Sequence, residues 1–188
     1  VNLLRIAAAL FALAGPADAA HLVLMPCAPM LHARNEHAAV LLPTGRVLVV
    51  GGSVLRGESA IPWAELFDPG TRTFSETGAL HIPRVDPLAV ATRDGRVLVA
   101  GGWTRSYVIA TATAEIWDPT SSAFRLVAPM TVPRGVGADV LELATGGVLI
   151  IGGTRDGEMG ASTDVIDIFD PGTEEFHQWG TLGMSRTS

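Results

Sequence analysis

The sequence predicts an all-β protein assembled from four-stranded antiparallel units, and three observations carry that expectation. Markers recur at a single period of about fifty residues. Between them, short runs of β-branched and aliphatic residues alternate with turn residues. No long stretch keeps the 3.6-residue apolar period of an amphipathic helix. The double glycines Gly51-Gly52, Gly101-Gly102 and Gly152-Gly153 are spaced by 50 and 51 residues. The pairs Asp68-Pro69, Asp118-Pro119 and Asp170-Pro171 are spaced by 50 and 52. Arg34, Arg84, Arg134 and Arg186 keep the same phase, as do Phe74, Phe124 and Phe176.

In chain order, residues 1–19 stand apart and read as a secretory signal peptide. Arg5 supplies a positive start, Ile6 to Ala14 an apolar stretch, and Ala17-Asp18-Ala19 a small-x-small cleavage site. The stretch is shorter than the roughly 18 residues a membrane span needs and is closed by Gly15-Pro16, so the mature chain is expected to have no stable membrane span. Export to the periplasm or the extracellular space follows as an expectation. Cys27 is the single cysteine, which rules out an intrachain disulfide, and Leu24-Met25-Pro26 lacks the small residue that a lipoprotein site wants before it.

Each period then divides into four segments, a to d. Segment a is His37 to Leu42, Leu88 to Thr92 and Ala138 to Leu143, and each copy runs into a glycine turn suited to a tight hairpin. Segment b is Val47 to Val50, Val97 to Ala100 and Val148 to Ile151. These uninterrupted aliphatic runs suit a strand covered on both faces. Segment c is Ala64 to Phe67, Ala114 to Trp117 and Ile166 to Phe169. It alternates polar with apolar, as expected of a strand nearer the outside. Asp-Pro makes the c to d turn, because Asp bonds its own backbone and Pro presets φ. Segment d carries Phe74, Phe124 or Phe176, expected to pack between sheets.

The order arginine, a strand, Gly-Gly, long connection, aromatic before Asp-Pro and further aromatic resembles the kelch repeat, from about Leu22 to Arg186. The resemblance implies a β-propeller whose blades are single repeats. The blades are 34–83, 84–133 and 134–185, with 186–188 starting a fourth and 20–33 forming a d strand of the ring-closing blade with its connection. Aliphatics and phenylalanine replace the tyrosine often found in segment b and the tryptophan often found in segment d, as in a bacterial variant. Leu22-Val23-Leu24 sits one period before Arg72-Thr73-Phe74, so the mature chain is expected to begin on a d strand. Three blades are fewer than the four to eight of propeller rings, so the ring is expected to be incomplete. A piece of a longer protein, completed by further blades of the same chain or by another copy, is the expectation.

Thirteen Lys and Arg against nineteen Asp and Glu leave a net charge of -6, which excludes a phosphate-backbone binder. Because chain direction alternates, the d to a and b to c connections share one face and the tight turns share the other. The b to c connections, Ser53 to Trp63, Trp103 to Thr113 and Thr154 to Asp164, are longer than hairpins need, and such loops are where function resides. A feature present in every blade is better explained by the fold than by one ligand. Arg34, Arg84, Arg134 and Arg186 are therefore structural first, bonding carbonyls or carboxylates of adjacent blades, and channel-mouth anion ligands second. Glu65, Glu115 and Asp167 are likewise structural partners first. The residues that do not recur, Trp63, Trp103, Arg105, Tyr107, Asp156 and Glu158, together with Arg56 and Glu58, are the candidate binding set.

The leading expectation is an exported recognition module that binds a protein or a carbohydrate on the loop face, without cofactor, metal or catalytic residue. The alternative is part of a carbohydrate-active propeller enzyme whose catalytic residues lie in further blades. Copper-radical oxidases resembling galactose oxidase need two tyrosines, a cysteine and two histidines, whereas this chain has only Tyr107 and Cys27. Its histidines, His21, His32, His37, His81 and His177, lack metal-ligand spacing. A mutarotase resembling the sialic-acid epimerase needs only carboxylates and arginines in a pocket, which leaves that reading open.

Overall fold

The computed structural model describes residues 25–55, 59–105, 109–155 and 161–183. The signal-like segment, the run Leu22 to Leu24, Arg56, Glu58, Tyr107, Asp156, Glu158 and Arg186 lie outside the described residues. Blade 1 contains β1 (Ala38–Leu41), β2 (Val47–Val50), β3 (Ala64–Asp68) and β4 (Thr73–Glu76). Blade 2 contains β5 (Leu88–Ala91) and β6 (Val97–Ala100), then the small hairpin β7 (Trp103–Arg105) and β8 (Ile109–Ala110), then β9 (Ala114–Asp118) and β10 (Ala123–Val127). Blade 3 contains β11 (Ala138–Glu142), β12 (Val148–Gly152), β13 (Val165–Asp170) and β14 (Glu175–Thr181). Each blade is an antiparallel sheet with its strands in the order a, b, c, d, and the described residues contain no helix.

Local chemistry sets these boundaries. In each a to b turn the chain closes on itself, with Leu42 N–H to Arg46 carbonyl, Thr92 N–H to Arg96 carbonyl and Leu143 N–H to Gly147 carbonyl, all at 2.8 Å. In the c to d turns the Asp side chain accepts from the backbone two residues on, from Gly70 and Gly172 at 2.8 Å and from Thr120 at 2.7 Å. The left-handed residue of that turn is not a glycine. Arg72, Ser122 and Glu174 hold φ of 59°, 54° and 60°. Their N–H groups bond Asp68, Asp118 and Asp170 carbonyls at 2.7–2.8 Å, which helps hold a conformation side chains otherwise avoid.

The core lies between blades. Leu48, Val50 and Leu66 of blade 1 pack against Val97, Val99, Trp117 and Phe124 of blade 2. Leu98, Ala100 and Ile116 on the other face of blade 2 pack against Val148, Ile150, Phe169 and Phe176 of blade 3. A blade thus buries both faces of its b strand, as its unbroken aliphatic run requires. The c strands depart from the expected half-exposed pattern. Glu65, Glu115 and Asp167 are fully buried, so the alternation separates a buried polar stripe from an apolar one and does not separate water from core.

The double glycines join consecutive blades. Gly52 N–H bonds the Arg84 carbonyl at 2.9 Å, and Gly102 N–H bonds the Arg134 carbonyl at 2.8 Å. A Cβ on Gly51 or Gly101 would stand 2.7 Å from those same carbonyls, and both residues have positive φ, so no other residue fits.

Residues 25–33 form no strand, yet they lie against blade 1 as 75–83 lie against blade 2. Ala28 N–H bonds the Arg72 carbonyl at 3.0 Å, and one period later Gly78 N–H bonds the Ser122 carbonyl at 2.8 Å.

Candidate functional site

Each described blade contains one buried arginine clamped to one buried carboxylate. Arg34 donates to Glu65 Oε1 at 2.5 Å and to the Gly51 and Trp63 carbonyls at 3.1 and 2.6 Å. Arg84 donates to Glu115 at 3.0 Å and to the Gly101 and Thr113 carbonyls at 3.0 and 2.9 Å. Arg134 donates to Asp167 at 2.8 Å and to the Gly152 and Val165 carbonyls at 2.6 and 2.9 Å. These acceptors belong to the arginine's own blade, which corrects the expectation of side-chain bonds to a neighbouring one. The link to the preceding blade comes instead from the arginine's backbone carbonyl, through the double glycine. Their guanidinium groups are enclosed and bonded, so they offer no open ring of cations at a channel mouth.

The carboxylates also hold the d to a connections. Glu65 accepts from the Leu31 and His32 N–H groups at 2.7 and 3.1 Å, and Glu115 from those of His81 and Ile82 at 2.8 and 3.1 Å. Asp167 is one methylene shorter, and the Thr131 hydroxyl reaches it at 2.5 Å. Burial raises the Glu65 carboxyl pKa, but the Leu31 N–H and the Arg34 guanidinium together hold it below its ordinary value.

The structure separates the candidate tryptophans. Trp63 is 40% exposed and stacks on His32, with ring centroids 4.4 Å apart and planes at 20°. Trp103 is fully buried, so it cannot serve as the ligand platform expected of it. Its ring lies on Gly135 of blade 3, where a Cβ would overlap it, and it anchors the β7–β8 hairpin. That hairpin is absent from blades 1 and 3 among the described residues. Arg105 ends its first strand, and Ile109, which starts its second, is exposed.

Sequence reading missed two features of the loop face. One is His32, whose partner ring lies 31 positions away in sequence. The other is a contact between carboxylate-bearing residues of adjacent blades, with Asp86 N–H bonding the Glu36 carbonyl at 2.8 Å and both residues at positive φ. Burial, and then the nearby Glu36 charge, push the Asp86 carboxyl above its ordinary value. Residues 36 and 86 are one period apart and both acidic, a signal the repeat arithmetic could have yielded.

Two cavities accompany these features. A cavity of about 270 Å³ on the loop side is lined by His32, Trp63, Ala64, Glu76, Thr77 and Ala79. A more open one of about 640 Å³ lies on the tight-turn face, along Thr92 to Asp94, Thr145 to Gly147 and Ile168 to Gly172. Among the described residues no group of three or more His, Cys, Asp or Glu is placed to hold a metal ion, and no helix is long and apolar enough to cross a membrane.

Blades joined through a buried arginine and a double glycine define a kelch-type β-propeller, here an unclosed set of three blades among the described residues. The Kelch motif family matches residues 86–131, which run from the start of blade 2 to its last connection. Among solved structures it is similar to that of YjhT, with a TM-score of 0.67 and 12% identity over 82% of this chain. At that identity the likeness concerns the fold. The match spans 54% of the YjhT chain, about half its length. In all 169 solved chains match, so the fold is widely shared and does not by itself select a ligand. No curated protein sequence matches.

Proposed function

We propose that this chain is a non-catalytic recognition module, working outside the cytoplasm, that binds a protein on the face formed by the d to a and b to c connections. The observation that carries this reading is where large apolar side chains meet water. Leu31, Val54, Leu55, Trp63, Ile109 and Val136 are all exposed, and all belong to those connections. The other exposed large hydrophobic side chains among the described residues are dispersed, with Leu126, Leu141 and Trp179 on strands and Met25 beside Arg72 of a tight turn. Apolar groups gathered on one face beside an aromatic are the usual material of a protein-binding patch. Export is supported by the signal-like residues 1–19.

The test is affinity capture with the full chain and two variants. Leu55→Asp together with Ile109→Asp should lower capture of the bound protein at least about tenfold, the scale of a hot spot worth 1–2 kcal/mol. Thr44→Asp, in a tight turn, should leave it unchanged. Capture that is indifferent to the loop-face pair rejects the reading.

One observation favours a second reading, a carbohydrate-active propeller: the raised Asp86 carboxyl beside Glu36 could act as a general acid. On that reading the chain accelerates mutarotation of a reducing sugar in polarimetry, and Asp86→Asn removes the acceleration.

A further inference from the structure

The small cavity beside Trp63 holds chemistry that the fold does not require. In the next two blades the places of His32 and Trp63 are taken by Ile82 and Thr113, then by Val132 and Val165. The two rings are nevertheless firmly mounted. The Trp63 carbonyl accepts from the Arg34 guanidinium at 2.6 Å, and the His32 N–H donates to Glu65 at 3.1 Å, so both backbones are tied to the buried clamp of blade 1. A platform fixed before binding loses little conformational freedom when a ligand arrives.

The polar lining is just as selective. The Thr77 hydroxyl is occupied, accepting from Trp117 Nε1 at 3.0 Å and donating to the Ser122 carbonyl at 3.3 Å. Glu76 is exposed and has no hydrogen bond or ion pair among the described residues. It stands directly across the β3–β4 register from Glu65, a position held by Leu126 and Gln178 in the other blades. Directly opposed residues of an antiparallel pair share a face, so blade 1 alone sets a second carboxylate beside the first, and only the first is neutralised by an arginine.

An open indole and a free carboxylate on one cleft suit a flat cation, which can stack on the ring while donating to the acid. A guanidinium can stack flat on the ring while donating in its own plane, whereas an ammonium can donate but has no plane to stack. The volume, about 270 Å³, is below that of most small-molecule sites and suits a single side chain. The chain's net charge of -6 favours the approach of a basic partner. We infer that the His32–Trp63–Glu76 cleft receives an arginine side chain of the protein bound by the loop face. This rests on the recognition-module reading and specifies its partner.

The test is a titration of the full chain, carrying ¹⁵N-labelled tryptophan, with N-acetyl-L-arginine amide. The Trp63 indole resonance, assigned by its loss in Trp63→Phe, should move saturably while those of the buried Trp103 and Trp117 stay in place. Glu76→Gln should weaken binding about three- to tenfold in the same titration. A shift of equal size with N-acetyl-L-glutamine amide, saturation by methyl α-glucoside in place of the arginine probe, or no shift at all overturns the inference. An arginine probe that fails, while Leu55→Asp with Ile109→Asp still loses the captured protein, overturns the cleft alone. Capture indifferent to that pair overturns the loop-face reading.

Discussion

Arg84 shows how one residue organises a blade. Its guanidinium is fully buried and serves Glu115, two backbone carbonyls and the Thr113 hydroxyl, while its own carbonyl receives the Gly52 N–H of the preceding blade. Arg84→Met should cost about 3–5 kcal/mol in urea unfolding, because Glu115 is left buried without its counter-charge. Adding Glu115→Leu should recover much of that loss, and a double variant as unstable as the single one would show that the ion pair is not the source. Glu65 makes the pH dependence of blade 1 predictable. Its pKa is lower folded than unfolded, so between the two values the unfolded chain binds more protons and stability rises with pH. The stabilisation is complete above the ordinary value of 4.5 and is lost as pH falls through the lower folded value. Thermal unfolding across that acid range should show a steeper fall for the parent chain than for Glu65→Gln.

The β7–β8 hairpin gives the element scale its test. Trp103→Ala should destabilise blade 2 by about 3–5 kcal/mol, the usual cost of emptying a large aromatic site, and should open the hairpin to proteolysis. Gly135→Ala should act in the same direction, since its methyl group would overlap the indole. Thermal unfolding and limited digestion check both. The strands themselves were largely legible: segment b begins at the observed residue in all three blades, because a run such as Val47 to Val50 bounded by turn glycines admits little else. The environment of those strands was less legible. Alternation along Ala64-Glu65-Leu66 shows which side chains share a face, but the covering of that face depends on a connection more than thirty residues away. Trp103 misled for a related reason, since a tryptophan in a loop reads as exposed unless the blade that receives it is known. The arginine period was evident, whereas the blade each guanidinium serves depended on tertiary geometry.

The whole molecule is a stack of sheets whose two outermost faces differ. On blade 3, Leu149, Ile151 and Ile168 alternate with the residues packed on blade 2 and so point the other way. Leu149 is buried and Ile151 and Ile168 are half-buried, so this face is only partly open to water, and it should bind a hydrophobic dye weakly and associate only at high chain concentration. Ile168→Lys should reduce both, as read by dye fluorescence and size-exclusion chromatography, and an equally associating variant would locate the contact elsewhere. Blade 1 offers no matching vacancy. Residues 25–33 already use the Arg72 carbonyl and the Glu65 carboxylate, the acceptors that a preceding blade's outermost strand and its connection would otherwise reach. A second copy approaching with blade 3 foremost would bring its own β14 into occupied space. Head-to-tail growth into an open fibre, the hazard of any molecule with two unlike sticky ends, is therefore obstructed at its first step.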